Sequence, residues 1–241
     1  MTLPRFHLPG AIGSHAELEA DAAHHALRAQ RLKTGDHLIL FNGEGGEYEG
    51  VISRCGKDTV AIEVLQFRAI ERESPLHISL AQGISGTDNM DFTIQKAVEL
   101  GVARIQPLAT ARSVVRLSDE RARKRVEHWR RVVISACEQC GRNRLPQVEE
   151  VVELEKWLTQ LEGDGLRLLL SPRASERLGA LAKPQAHMWW LAGPEGGFDA
   201  AEENAALSMG FRAISLGPRI LRTETTALAA LSAMQALWGD F

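Results

Sequence analysis

The second part of the chain alternates short apolar runs with helical patterns, and this alternation restricts the fold more than any other feature. Five segments read as strands: HISLAQG (77–83), ARIQPL (103–108), RLLLS (167–171), HMWWLAG (187–193) and FRAISLG (211–217). Four helices are predicted, over 89–101, from Ser118, from Asp199 and over Thr225–Trp238. Strands alternating with helices form a parallel sheet covered on both faces. Ligands of such sheets bind in loops at the carboxyl ends of strands.

The first part of the chain has a different sequence pattern. Its short β-type runs are FHL (6–8), HLILF (37–41), YEGVIS (48–53) and TVAIEVLQF (59–67), and one helix is predicted over 21–36. Short strands with a single helix predict a small barrel. The polar stretch IERESP (70–75) reads as a linker, so the predicted domains are 1–72 and 73–241.

Composition restricts the class of protein. The three cysteines of the 241 residues do not suggest a disulfide framework, so a reducing cytoplasm is expected. The N-terminus lacks a basic region followed by an apolar run, which argues against a signal peptide. The apolar core of the final helix has 14 residues, whereas a membrane span needs about 20. The sequence therefore predicts a soluble, cytoplasmic protein without a membrane partner.

Positive charge is concentrated in one segment. Residues 112–144 hold ten Lys/Arg and four Asp/Glu, although the whole chain has a net charge of -3. A basic block on a mildly acidic protein suits a polyanionic partner, but a solvated helix face gives the same pattern. Both interpretations stay open on this feature alone.

Three loops after predicted strands carry unusual chemistry: LLLSPRAS (168–175), WLAGPEGGFD (190–199) and LGPRILRTETTALAAL (216–231). The glycines of the second and third loops permit close approach of a ligand, and the Gly-Pro in each of these two loops fixes a turn. They match neither the dinucleotide fingerprint nor the phosphate loop. One such loop is typical of a tight strand–helix connection, but three together favour a binding site.

The pair Cys137-x-x-Cys140 does not predict a metal site. The chain has no second cysteine pair, and both sulfurs fall on the apolar face of a predicted helix. Buried thiols are therefore expected, and no metal is predicted. Gly141 to Arg144 end this helix with two arginines, which suits a phosphate or base contact.

Four motifs together resemble one known family. They are MDFTIQKAVELGV (90–102), ACEQCGRNRLP (136–146), LAGPEGGF (191–198) and LGPRILRTETTAL (216–228). The chain looks like a member of the ribosomal RNA small subunit methyltransferase E family, of the SPOUT class. HHALRAQRLKTGD (24–36) is similar to the RNA-binding domain of that family. The resemblance implies an N-terminal PUA-like β-barrel followed by a SPOUT α/β domain with a C-terminal trefoil knot.

The implied activity is S-adenosyl-L-methionine-dependent methylation of N3 of one uridine in small-subunit (16S) rRNA. The expected partners are the assembled 30S subunit and a second copy of the chain, bound through the knot domain. Two alternatives stay open. One is a non-catalytic RNA-binding or ribosome-assembly protein on the same fold, and the other is a SPOUT methyltransferase acting on another RNA.

Carried over residue by residue, the resemblance places the cofactor in the three loops. Their glycine turns would hold the adenine and ribose through backbone groups, and their apolar side chains would form a dry slot. The implied cofactor-binding residues are Leu170, Leu191, Gly193, Pro194, Glu195, Gly196, Leu216, Gly217, Ile220, Leu221, Arg222, Thr223 and Thr225.

The expected catalytic residues are Arg222 and Glu195. Methylation of uridine N3 requires loss of a weakly acidic proton, and a planar guanidinium beside O4 or O2 would stabilise the developing anion. Arg222 is the first choice for that role, followed by Arg219. Glu195, Glu138 or Glu224 would act as a base or orient an arginine. Glu224 alternatively only stabilises the start of a helix.

The predicted RNA contacts are Arg5, Arg28, Arg31, Lys33, Arg112, Arg142, Arg144 and Arg219. Arg28 and Arg31 are one helical turn apart and are expected on one face. Residues 1–72 hold eight Lys/Arg and ten Asp/Glu. RNA contacts in the first domain must therefore be local.

Overall fold

The chain forms two compact units in the computed structural model, which describes residues 3–113 and 119–241. The first unit comprises Met1–Glu73 together with Cys137–Leu145, and the second comprises Ser74–Ala136 and Pro146–Phe241. The sequence suggested one division after residue 72 and did not indicate that a later segment belongs to the first unit. Ser118, the predicted helix cap, lies outside the described residues.

The first unit contains a five-stranded sheet. Its elements are β1 (Arg5–His7), β2 (His15–Glu19), α1 (Ala20–His24), β3 (His37–Phe41), β4 (Glu47–Cys55) and β5 (Thr59–Arg68). The strand order is β1-β3-β4-β5-β2, with β1 parallel to β3 and the other pairs antiparallel. Four of these strands were predicted, and β2 was missed. The core comprises Phe6, Leu18, Ala23, Ala26, Leu38, Leu40, Ile52, Val60 and Ile62.

The predicted helix over 21–36 is shorter in the structure. A π-helical turn over His25–Ala29 follows α1, and Arg31 then has a left-handed φ of 57°. The prediction that Arg28 and Arg31 share one helix face is therefore wrong, because the helix ends between them. Both side chains, like that of Lys33, are exposed.

The second unit is an α/β structure. Its first elements are β6 (Ile78–Gly83), α2 (Thr87–Glu99), β7 (Arg104–Ala109), α3 (Asp119–Cys140), β8 (Gln147–Val148) and β9 (Val152–Glu153). They are followed by α4 (Leu154–Gln160), β10 (Leu166–Leu170), β11 (Met188–Ala192), α5 (Ala200–Ser208), β12 (Arg212–Ile214) and α6 (Thr223–Trp238). The last residues of α3, from Cys137, belong to the first unit.

All strand pairs of the second sheet are parallel. The order is β12-β10-β11-β6-β7-β8, and β9 also pairs with β7. The predicted parallel sheet is confirmed. Every residue of β6 and β11 is buried, as expected for strands covered on both faces. Trp157, Trp189 and Phe211 pack on one another in the core, and the first two rings lie 5.1 Å apart edge to face.

Helix α5 begins with a capping box. Asp199 accepts a hydrogen bond from the backbone N–H of Glu202, and the Glu202 side chain accepts one from Asp199 in return. This capping box confirms the predicted start of α5.

Among the described residues, no helix is long and apolar enough to cross a bilayer.

A cluster of buried charges joins the separate pieces of the first unit. Glu47 is 3% exposed and accepts hydrogen bonds from Arg5 at 2.7 Å and Arg72 at 3.0 Å. Asn143 accepts a hydrogen bond from Arg5 and donates one to the carbonyl of Ile70 at 2.7 Å. Arg142 is ion-paired with Glu73. The stretch 70–73 is therefore held by these contacts and does not behave as a free linker.

This cluster corrects two predicted RNA contacts. The side chain of Arg5 is 9% exposed and that of Arg142 is 6% exposed. Arg5 donates hydrogen bonds to Glu47, to Asn143 and to the carbonyl of Arg142, and Arg142 donates to Glu73. Arg5 and Arg142 are thus structural residues of the first unit, because a buried guanidinium must be paired.

We expect Glu47→Ala to lower the free energy of unfolding by about 3–5 kcal/mol, because two guanidinium groups lose their shared carboxylate. Burial raises the pKa of Glu47, but hydrogen bonds from Arg72 and Arg5 outweigh it and lower the pKa below its ordinary 4.5. The stabilisation is therefore complete at neutral pH and is lost as the pH falls through this lowered pKa.

Urea unfolding at neutral and acidic pH measures the effect. Glu63→Ala, at an exposed carboxylate of β5, is the control and should change stability little. Equal stabilities of Glu47→Ala and Glu63→Ala at neutral pH would contradict the proposed role of the cluster.

Candidate functional site

The three loops selected from the sequence meet around one cavity. Strands β12, β10 and β11 are parallel neighbours, so the loops that follow them lie at the same edge of the sheet. They line a cavity of about 680 Å³, which we call the carboxyl-edge cavity. From the predicted cofactor set, its walls contain Leu170, Gly193, Pro194, Glu195, Gly196, Leu216, Gly217, Ile220, Leu221, Arg222 and Thr223.

Two members of the predicted set lie elsewhere. Leu191 is fully buried in the core of the second unit, where its side chain packs in a cluster with Ala81 and Trp189. Thr225 is exposed on the first turn of α6 and does not line the cavity. The side chains of Leu191 and Thr225 were predicted to form part of the cavity wall, and the structure places them outside it.

Two glycines give the cavity loops their shape. A Cβ on Gly193 would lie 3.1 Å from the Cα of Gly197, so a side chain would press on the next turn of the same loop. Gly217 has a φ of 116°, a conformation that side chains other than glycine rarely adopt. The tight turns leave backbone groups close to the space where a ligand would lie.

A buried amide holds two of these loops together. Gln82, at 1% exposure, places its Nε2 3.1 Å from the carbonyl oxygen of Gly193 and 3.1 Å from Oγ1 of Thr223. The Thr223 hydroxyl donates to the same carbonyl at 2.6 Å. Gln82 was not predicted as a site residue, although a polar residue in the apolar strand HISLAQG was a usable signal.

Two arginines and a carboxylate lie at the start of α6. Arg219, Arg222 and Glu224 all line the cavity. Arg222 is exposed and precedes the helix, where its carbonyl accepts hydrogen bonds from Thr226. Within the described residues, the structure gives the guanidinium groups of Arg219 and Arg222 no ion pair or hydrogen bond. Both are therefore available to an anionic ligand.

The other proposed carboxylates have different environments. One oxygen of Glu195 accepts from the backbone N–H of Gly86 at 2.8 Å and from Asn89 at 3.0 Å. Burial raises the pKa of Glu195, but these hydrogen bonds outweigh it and lower the pKa. Glu138 belongs to the first unit, where it accepts from the N–H of His7 at 2.9 Å. Its role as a base stays a prediction.

The remaining predicted RNA contacts lie at two places. Arg28, Arg31 and Lys33 are exposed in the first unit, and the exposed Arg144 is 3.4 Å from Glu71. Arg112 lines the carboxyl-edge cavity, where its guanidinium donates to the carbonyl of Gly196 at 3.0 Å. RNA binding by these residues stays a prediction.

Both cysteines of the Cys137–Cys140 pair were predicted to be buried thiols, and only Cys137 is buried. Cys137 is buried, and burial raises its pKa to about 12, whereas Cys140 is partly exposed. Over the residues that the structure describes, no group of three or more His, Cys, Asp or Glu could hold a metal ion.

Known proteins share both the sequence and the fold. The family model for an RNA methyltransferase domain matches residues 72–235, and that for an RNA methyltransferase PUA domain matches residues 18–65. The ribosomal RNA small subunit methyltransferase E of Buchnera aphidicola from Schizaphis graminum is 35% identical, over 92% of this chain and 91% of that protein. The chain belongs to this family. The resemblance inferred from its motifs is confirmed.

Two solved structures of similar proteins cover this chain and their own chains completely. Ribosomal RNA small subunit methyltransferase E from Neisseria gonorrhoeae, bound to S-adenosyl methionine, is 40% identical, with a TM-score of 0.93. A Legionella pneumophila protein described as a methyltransferase, in complex with the cofactor SAM, is 38% identical, with a TM-score of 0.95. The α/β methyltransferase domain and the PUA domain of this chain are thus those of an rRNA methyltransferase E.

We expect Thr223→Val to lower the free energy of unfolding by about 1–2 kcal/mol, because the hydroxyl's bonds to Gly193 and Gln82 are lost within a buried site. Thr223→Ser keeps the hydroxyl and should retain most of this stability. Thermal and urea unfolding of the two variants measure the difference. A valine variant as stable as the serine variant would contradict the role assigned to this hydroxyl.

Proposed function

We propose that this chain methylates N3 of one uridine in small-subunit rRNA and takes the methyl group from S-adenosylmethionine. The observation that carries the proposal is the carboxyl-edge cavity, which is lined by three loops, two of them glycine-containing, and by two arginines whose guanidinium groups have no partner among the described residues. The bound S-adenosylmethionine of the Neisseria and Legionella relatives supports the choice of cofactor. Membership of the methyltransferase E family supports small-subunit rRNA as the substrate.

The size and the lining of the cavity support this choice of cofactor. Its volume of about 680 Å³ lies within the range of about 300–1,000 Å³ that is usual for small-molecule sites. Leu170, Leu216 and Leu221 would cover the adenine, and the backbone at Gly193 and Gly217 would bind its polar edge and the ribose. When bound, S-adenosylmethionine supplies an electrophilic methyl group on a positively charged sulfonium.

The two arginines would bind different parts of the RNA, and Arg222 would act on the uracil. Loss of the N3 proton spreads negative charge onto O2 and O4, and the planar guanidinium of Arg222 matches two such acceptors. Arg219, which lines the same cavity, would bind the RNA backbone. Glu195 and Glu224 are the carboxylates of the cavity wall from the predicted set, and one of them would receive the proton.

The two units would have different roles in binding the RNA substrate. In this proposal the first unit is a PUA-like barrel that binds RNA through Arg28, Arg31 and Lys33, whose side chains are exposed. The second unit would contain a trefoil knot and pair with a second copy through α6. Leu237, near the end of that helix, is 50% exposed, which supports an apolar contact. The assembled small subunit in the cytoplasm is the proposed substrate.

Methyl transfer to purified small subunits tests the function. With labelled S-adenosylmethionine, we expect label in 16S rRNA and, after nuclease digestion, in N3-methyluridine. Label in a ribose, or in tRNA offered alongside, would contradict the proposed substrate. Cofactor binding without transfer to any of these RNAs would favour a non-catalytic RNA-binding protein.

We expect Arg222→Ala to reduce turnover by about 100-fold or more, as when one donor to a developing anion is removed. The dissociation constant for S-adenosylmethionine should change by less than about threefold, because the proposed contact is made to the uracil. Single-turnover kinetics and calorimetry measure the two quantities. Arg54→Ala, at an exposed arginine of β4, is the control. Equal losses in turnover and cofactor affinity would instead place Arg222 against the cofactor.

A further inference from the structure

One oxygen of Glu195 has two hydrogen-bond donors from another part of the second unit. The backbone N–H of Gly86 lies 2.8 Å from Oε1, and Nδ2 of Asn89 lies 3.0 Å from the same atom. Gly86 and Asn89 stand at the start of α2, whereas Glu195 belongs to the loop after β11. We call these three residues the Glu195 cluster.

The start of α2 needs such an acceptor. Its N-cap residue is Gly86, which has no side chain to accept a hydrogen bond, and the helix has no side-chain cap. Helix N-termini carry unsatisfied N–H groups and a partial positive charge, which a carboxylate stabilises. Glu195 provides that carboxylate from a neighbouring loop, so the contact fixes the loop and the helix start to each other.

The same loop is held from its other side. Arg112 follows β7 and donates through Nη1 to the carbonyls of Gly196 at 3.0 Å and Phe198 at 3.4 Å. Strands β6 and β7 are the next two after β11 in the sheet. The loop 193–198 is thus attached to the segments that follow both of these strands.

We propose that Glu195 is a positioning residue for methyl transfer and not the proton acceptor. Its carboxylate, through Gly86 and Asn89, fixes the Gly193–Gly197 turn in the shape that forms the cofactor wall. The inference rests on the proposed function and assigns the proton to Glu224, the other carboxylate considered there. A carboxylate with two donors and a lowered pKa is also a weak base at neutral pH.

Glu195→Gln and Glu195→Ala separate positioning from proton transfer. The glutamine keeps a carbonyl oxygen that can accept both hydrogen bonds, so we expect turnover and S-adenosylmethionine affinity within about threefold of the unmodified protein. The alanine removes both bonds and should weaken cofactor binding by about tenfold or more. If Glu195 instead accepts the proton, Glu195→Gln will lose about 100-fold or more in turnover with unchanged cofactor affinity.

Hydrogen exchange without any ligand provides an independent measurement. The Gly86 amide and the loop 193–198 should exchange faster in Glu195→Ala, whereas Glu195→Gln should retain their protection. Glu155→Gln, at an exposed carboxylate of α4 outside the cavity, is the control for a change of charge. Unchanged exchange and cofactor affinity in Glu195→Ala would overturn the positioning role.

The two proposals fail in different ways. If the unmodified protein does not bind S-adenosylmethionine, the proposed function fails and the positioning role for methyl transfer fails with it. If the unmodified protein transfers methyl groups but Glu195→Gln is inactive with normal exchange, only the positioning role is wrong.

Discussion

Parallel pairing of β12, β10, β11 and β6 is the constraint on which the site depends. Because these strands run in one direction, the backbone leaves each of them at the same edge of the sheet. Loops separated by tens of residues in the sequence are therefore brought to one cavity without any specific attraction between them. Every residue of β6 and β11 is buried, so this edge belongs to the packed core of the sheet, which suits a site formed by irregular loops.

The loops nevertheless need polar contacts to keep a single arrangement. Apolar packing sets the sheet, but it does not define the direction of a glycine turn. Gln82 and Thr223 bind the carbonyl of Gly193 from within the core, while Glu195 and Arg112 attach the following residues from the solvent side. The turn is thus held at both its buried and its exposed ends. Among the residues that the structure describes, the guanidinium groups of Arg219 and Arg222 take no part in these contacts.

Much of this organisation could be predicted from the sequence, and the exceptions have physical reasons. The central strands are continuous apolar runs, so they were identified within a residue or two. Strand β2 was missed because only Leu18 of its five residues is buried, which leaves no clear alternation. Arg5 and Arg142 were expected at the surface because arginines usually are. Arg5 and its partner Glu47 are 42 residues apart in the chain, and Arg142 and Glu73 are 69 apart. Local sequence patterns contain no information about such pairs.

The Cys137–Leu145 segment also determines how the protein can be divided. The chain leaves the first unit after Glu73, returns to it within α3 at Cys137 and leaves it again after Leu145. A fragment ending at Glu73 would contain every strand of the first sheet but lack Asn143 and the buried Arg142. The first unit of this chain therefore cannot be excised intact by a single cut after Glu73, because two residues of its buried charge cluster follow much later in the chain.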